Sequence, residues 1–263
     1  MIKAVREAKE HTSWVNTNLE YEDALLHFTR TILERRDNNH FLADFSQFHA
    51  HLARIGMFNS LSQCLLRLTA PGVPDIYQGN ELWDFSLVDP DNRRPVDFHQ
   101  RRQMLEELQQ EYQTPRQVSD SLAVLLANLG NGKAKLYLIW KTLRTRKLES
   151  LLFQQGKYVP LQATGPRSEH VCAFAREFAG RVAVVVVPRL CATLLEETFN
   201  TVCDETLWGD TRLEVPFQAT PCYHNVLTGE CFPVGGDQNR WFPPLGKLLH
   251  NFPVALLLNQ AAC

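Results

Sequence analysis

Apolar residues in the first half of the chain recur at helical spacing. Ile2 to Glu10 interleaves charged and apolar residues in a helical pattern and gives way to a polar loop, His11 to Asn18. Leu19, Ala24, Leu25, Phe28, Ile32 and Leu33 then lie along one side of a helix, which ends in the polar run at positions 35–39. The pattern predicts a second helix from about Phe41 to Arg54 and a third from Asn59 to Thr69, where Leu61, Cys64, Leu65 and Leu68 share a face and Pro71 ends the run. Further helices are predicted from about Gln100 to Glu111, across Leu122 to Leu129, and across Leu136 to Leu143. Gly130-Asn131-Gly132 closes the middle one of these.

From Tyr158 the period shortens. Runs rich in Val, Phe and Tyr recur between turn residues: Tyr158 to Ala163, His170 to Arg176, Arg181 to Val187, Thr211 to Phe217, Cys222 to Val226, Cys231 to Val234 and Pro253 to Leu258. Ala179-Gly180 and Thr228-Gly229 predict hairpins, and the wholly apolar Val182 to Val187 predicts a central strand covered on both faces. The fold class is therefore α+β, with a mainly helical first half followed by an antiparallel β-sandwich and a boundary near residues 150–156.

Between the helices stands the most polar stretch, LTAPGVPDIYQGNELWDFSLVDPDNRRPVDF, from Leu68 to Phe98. Val73 to Tyr77, fenced by Pro71-Gly72 and Gly79, predicts a short buried strand. Tyr77, Gln78, Glu81, Asp84, Asp89, Asp91, Asn92, Arg93 and Arg94 follow it, interspersed with Trp83 and Phe85. Hydrogen-bonding groups beside aromatic faces suit a sugar, which offers hydroxyls and weakly apolar ring faces. The same residues also suit a solvated loop, with Asp and Asn capping the next helix and Arg93 and Arg94 paired to Asp89 and Asp91.

Composition narrows the choice. At 263 residues, 44% hydrophobic and 21% charged, the chain can bury a core, and nothing in it suggests disorder. Twenty-seven basic and 29 acidic side chains give a net charge of −2, which offers no footprint for nucleic acid or an anionic membrane. No apolar run is long enough to span a bilayer. The seven cysteines form no C-x-x-C pair and no secretory leader is recognisable, so reduced thiols in a cytoplasm are expected. His49 and His51, two apart on a helix, face different ways and do not make a metal site.

Catalytic signatures are sparse. The chain has no G-x-S-x-G elbow, no phosphate-binding G-x-x-x-x-G-K-[ST] loop and no G-x-G-x-x-G fingerprint. Glu81, Asp84, Asp89 and Asp91 are carboxylates of the kind glycoside chemistry uses in pairs, although spacing along the sequence does not give their separation.

GVPDIYQGNE resembles the last barrel strand of the α-amylase superfamily, where a G-x-P-x-I-Y-x-G-x-E pattern occurs. The longer run to Phe98 is similar to the maltooligosyl trehalose synthases, as are KAVREAKEHTSW, NSLSQCLLRLTAPG, HVCAFAR, VVVVPRL, LWGDT and FPVALLL. The resemblance implies the end of a (β/α)8 barrel in residues 1–114, a helical connection in 115–153 and a β-sandwich in 154–263. It implies a maltooligosaccharide partner, whose reducing-end α-1,4 linkage is turned into an α,α-1,1 linkage by intramolecular glucosyl transfer. No cofactor and no metal are implied.

In that family the Asp nucleophile, the Glu acid/base and the second Asp precede the segment matched here. No G-x-R-x-D motif occurs in this chain, so no catalytic residue is assigned. Tyr77, Gln78, Glu81, Asp89, Asp91, Asn92, Arg93 and Arg94 are the expected substrate contacts at the barrel's C-terminal face. Thr17 and Asn80 depart from the family pattern, which usually has Pro and Thr there. Two alternatives stand beside this reading. One is a stand-alone carbohydrate-binding or interaction module with Trp208, Tyr223 or Trp241 as stacking platforms. The other is self-association through apolar surface and strand edges left uncovered in a partial barrel.

Overall fold

The computed structural model describes residues 1–86, 89–112, 118–195, 201–216, 220–234 and 240–259. It divides into two compact units, Met1–Arg54 and Ile55–Cys263.

In the first unit, α1 (Ile2–Ala8) ends at Lys9, which takes the left-handed conformation with φ 59°. Asn18 caps α2 (Leu19–Ile32), its side chain accepting from the Tyr21 amide at 3.2 Å. The two helices are tied through a buried carboxylate. Glu22 accepts from Arg6 Nε at 2.8 Å and Nη2 at 2.6 Å, and from the Thr12 hydroxyl at 2.6 Å. These partners, Arg6 foremost and then Thr12, hold the Glu22 carboxyl at about 2.

A carboxyl lowered on folding contributes stability above its unfolded pKa and loses it as pH falls through the folded one. The amide signals of α1 and α2 should therefore show an acid transition between about pH 4.5 and pH 2. Glu22→Gln should lower stability at neutral pH and remove that transition. An unchanged acid profile in the variant would contradict the assignment.

The sequence pattern predicts two helices where the structure has one, α3 (His40–Thr69), which begins in the first unit and ends in the second. The apparent gap at positions 55–58 contains Gly56, a residue that costs a helix only about 1 kcal/mol. The buried face of Ile55, Phe58, Leu61, Leu65 and Leu68 carries the helix through. In the first unit α3 leaves Phe41, Phe45, Phe48 and Leu52 exposed, with Phe41 and Phe45 stacked 5.7 Å apart.

In the second unit come α4 (Phe98–Glu111), α5 (Val118–Ala127), α6 (Lys133–Leu148) and α7 (Ser150–Gln155). Asp97 caps α4 by accepting from the Gln100 amide at 2.9 Å. Gly132, at φ 78°, sits between the turn after α5 and the start of α6.

The strands are β1 (Lys157–Pro160), β2 (Gln162–Thr164), β3 (Val171–Phe178), β4 (Arg181–Pro188), β5 (Arg212–Glu214), β6 (Cys222–Asn225), β7 (Cys231–Pro233) and β8 (Ala255–Asn259). They form an antiparallel six-stranded sheet in the order β1-β3-β4-β8-β6-β7, and a separate two-stranded ribbon of β2 and β5. Short helices α8 (Cys191–Leu195), α9 (Glu205–Trp208) and α10 (Leu245–Leu249) lie in the connections. The expected antiparallel β-rich half is present, with the second sheet reduced to two strands. Its elements and the helices on the other side of residues 150–156 share one compact unit.

Each β-run read from the sequence contains a strand, although Phe217 at the end of one run lies outside the described residues. Ala179 and Gly180, at φ 47° and 81°, make the two-residue turn that sets Phe178 opposite Arg181. β4 is buried from Val182 onward, between β3 and β8.

Two expectations fail here. Val73 to Tyr77 is neither a strand nor buried. A strand is defined by a paired neighbour, and among the described residues none pairs with this segment; Val73 is 96% exposed. The expectation of reduced thiols throughout fails at Cys222 and Cys231, which form a disulfide across the β6–β7 hairpin, their Cα atoms 6.1 Å apart. The hairpin folds a nine-residue separation into bonding distance. Cys64, Cys172 and Cys191 are free thiols, and Cys263 lies outside the described residues. Among the described residues no helix is long and apolar enough to cross a membrane.

Candidate functional site

The stretch after α3 is held from three directions by arginines. Arg146, on α6, donates to the carbonyl of Leu68 at 2.7 Å and to that of Gly72 at 3.3 Å, fixing the chain as it leaves the helix. Arg67 donates to the Asp75 carbonyl and lies 3.7 Å from the Asp75 carboxylate. Arg101, on α4, clamps the turn at Tyr77–Asn80. Its guanidinium donates to Gly79 O at 3.0 Å, to Glu81 Oε2 at 3.0 Å and to Asp97 O at 3.1 Å. Gly79 takes φ 95°, a conformation side chains rarely adopt, and its amide donates to Glu81 Oε2 at 3.0 Å.

This turn borders a cleft of about 390 Å³, lined by Cys64, Arg67, Asp75, Tyr77, Asn80 and Lys135 among others. Lys135 comes from α6 and is 7% exposed. Its ammonium donates to Leu82 O at 3.2 Å and lies 5.6 Å from the centre of the Trp83 ring. Burial lowers the Lys135 pKa, against the opposing pull of Cys64, Asp84 and Glu81. Burial also pushes the Cys64 thiol up to about 11, so it is a neutral thiol rather than a nucleophile. Trp83 is anchored at its other end, its indole N–H donating to Leu129 O at 2.6 Å.

The residues singled out from the sequence fall into two groups. Tyr77, Gln78 and Glu81 surround the Gly79 turn. Tyr77 is 44% exposed and lines the cleft, Gln78 is exposed, and Glu81 is engaged by Arg101 and the Gly79 amide. Asp89, Asp91, Asn92, Arg93 and Arg94 gather about a 3-10 turn at Asp91–Arg93, preceded by a cis Asp89–Pro90 bond. There Arg93 Nε lies 2.6 Å from Asp89 Oδ1, and Arg94 Nη2 lies 3.6 Å from Asp91 Oδ1. Leu87 and Val88, between the groups, lie outside the described residues.

Lys135, Cys64, Arg67 and Arg101 were not legible as site residues. Lys135 sits in the helical run KAKLYLIW and Arg101 in an ordinary amphipathic helix, so only folding brings them to the turn.

The arrangement offers donors, acceptors and an aromatic ring around an open cleft, which suits a neutral, hydroxyl-rich ligand. It does not present a raised carboxyl for general-acid work at Asp84. That carboxyl is lowered, chiefly by hydrogen bonds from Ser86, the direction opposite to a glycosidase acid. Among the described residues no group of three His, Cys, Asp or Glu side chains could hold a metal ion. The proposed stacking platforms of a separate binding module are covered: Trp208, Tyr223 and Trp241 are all buried, and the last two stack on each other 4.9 Å apart.

No family model matches the chain. Curated proteins named for maltooligosyl trehalose synthase in two strains of Mycobacterium tuberculosis are 34% identical to it over 260 residues, 99% of this chain and 28% of theirs. The solved maltooligosyltrehalose synthase of Arthrobacter ramosus superposes with a TM-score of 0.76 at 30% identity, covering 98% of this chain and 29% of that one. A Sulfolobus tokodaii structure titled as a hypothetical maltooligosyl trehalose synthase gives 0.63 at 28% identity over 98% of this chain and 28% of its own. The chain thus spans a little over a quarter of the length of the relatives it matches, and along nearly all of its own length it is similar to a C-terminal portion of maltooligosyl trehalose synthases.

Proposed function

We propose that this chain is the C-terminal part of an enzyme that converts the reducing-end α-1,4 linkage of maltooligosaccharides into an α,α-1,1 linkage, and that it is inactive alone. The observation that carries this reading is the match along 98–99% of the chain to 28–29% of its relatives. In this reading residues 1–114 are the end of the catalytic barrel, and the Gly79 turn with its flanking loop is one wall of the sugar site. Tyr77 and Gln78 face the ligand. Glu81 serves mainly to shape the turn through Arg101, and the Asp89–Arg93 and Asp91–Arg94 pairs hold the second half of the loop while Asn92 lends it polar edges. The carboxylates that break and form the glycosidic bonds come from the remaining part of the enzyme. The partner is a maltooligosaccharide, bound by the assembled enzyme in the cytoplasm.

Incubated alone with maltopentaose, the chain should leave the concentration of reducing ends unchanged. Combined with a polypeptide covering the rest of the Arthrobacter ramosus synthase, it should consume them. Turnover by the chain alone, well above a blank, would refute its inactivity. A complex that forms between the two parts yet shows no turnover would overturn the role given to the loop.

A further inference from the structure

A second cleft, also of about 390 Å³, opens away from the Gly79 turn, between α6 and the β6–β7 hairpin. Lys141 and Arg144, three apart on α6 and so on one face of the helix, line it together with His224 of β6. The Lys141 ammonium has aromatic neighbours, 5.9 Å from the centre of Tyr137 and 5.7 Å from that of Trp140. Neither Lys141, Arg144 nor His224 has an ion-pair partner among the described residues. Glu149, the carboxylate on the rim, is engaged by the guanidinium of Arg181 through both of its oxygens.

Cations gathered in a half-enclosed space, where the lining carboxylate of Glu149 is already paired to Arg181, repel one another. Burial first, and then the charge of Arg144, lowers the Lys141 pKa; burial first, and then the charge of Lys141, lowers that of His224. An anion in the cleft would offset the repulsion between these cations. Leu148 of α6, and Val226 and Leu258 on the sheet side, add apolar surface to the lining.

We propose that the cleft between α6 and the β6–β7 hairpin binds a phosphate group, free or carried on a small organic molecule, through Lys141, Arg144 and His224. A phosphate offers several strong acceptor oxygens, enough for an ammonium, a guanidinium and an imidazole at once. Leu148, Val226 and Leu258 offer apolar contacts for the body of a monoester. This site stands apart from the Gly79 turn, so it is independent of the reading given to that turn.

Calorimetric titration of the chain at low salt, with inorganic phosphate in one arm and phenyl phosphate in the other, tests the proposal. Saturable binding is expected, weakened about tenfold by Arg144→Gln. The urea midpoint of that variant should not move, because Arg144 is exposed. Tighter binding of phenyl phosphate would identify an organic phosphate as the occupant, and tighter binding of inorganic phosphate would identify the free ion. No saturable heat with either probe, or equal affinity in Arg144→Gln, would overturn the proposal, the latter showing an adventitious ion only.

Discussion

Replacing Arg176 with alanine should lower the stability of the β-containing unit by about 3–4 kcal/mol, read as a fall in the urea midpoint followed by circular dichroism. Arg176 lies on β3, is 1% exposed and has no carboxylate partner among the described residues; its two terminal nitrogens donate to backbone carbonyls. It donates to Thr69 O at 3.1 Å, to Phe153 O at 3.0 Å and to Gly156 O at 2.8 Å.

Thr69 is the last residue of α3, and Phe153 and Gly156 belong to the last turn and cap of α7. Terminal helical carbonyls lack intrahelical donors and carry the negative end of the helix dipole, so one cation satisfies two helix ends at once. Gly156 can approach because it has no side chain; a Cβ there would stand 2.2 Å from Leu152 O. Alanine at 176 would leave three carbonyls without this donor and open a void beneath the sheet. Arg176→Lys keeps the charge but not the planar fork, and should recover only part of the loss. An alanine variant as stable as the parent would show that the helix ends do not depend on this residue.

Trp208→Ala should cost about 3–5 kcal/mol in the same measurement, the range for deleting a large buried aromatic. Trp208 is 0% exposed, and its indole N–H donates to Val202 O at 2.9 Å. The variant therefore loses apolar burial, leaves a cavity and strands a carbonyl. Trp208→Phe keeps most of the ring but not the hydrogen bond, and should cost less, about 1–2 kcal/mol. A sugar-stacking platform would behave in the opposite way, with maltooligosaccharide binding lost and stability unchanged. That pattern would restore the binding-module reading that the burial of Trp208, Tyr223 and Trp241 disfavours.

The sequence by itself determined most of the local structure, because local structure follows from period and punctuation. The seven β-runs, the Ala179-Gly180 turn, the buried central strand at Val182 and the Asp97 cap are set by side chains a few residues apart. The long similarity to maltooligosyl trehalose synthases was likewise legible, since the matching segments are spread over both halves. Two elements misread locally show the limit. Gly56 looked like a break but a continuous buried face overrode its weak helix propensity, and Val73 to Tyr77 had the composition of a strand without a partner to pair with.

Only the tertiary structure decided the contacts between distant residues. Lys135 reaches Leu82 across 53 positions, Arg176 reaches Thr69 across 107, and Cys222 meets Cys231 because a hairpin folds them together. No periodicity encodes such meetings. They arise when burial of apolar faces brings elements together and the polar groups carried along must find partners, and at the Gly79 turn that requirement assigns Arg101 to hold Glu81 while leaving Tyr77 and Gln78 open.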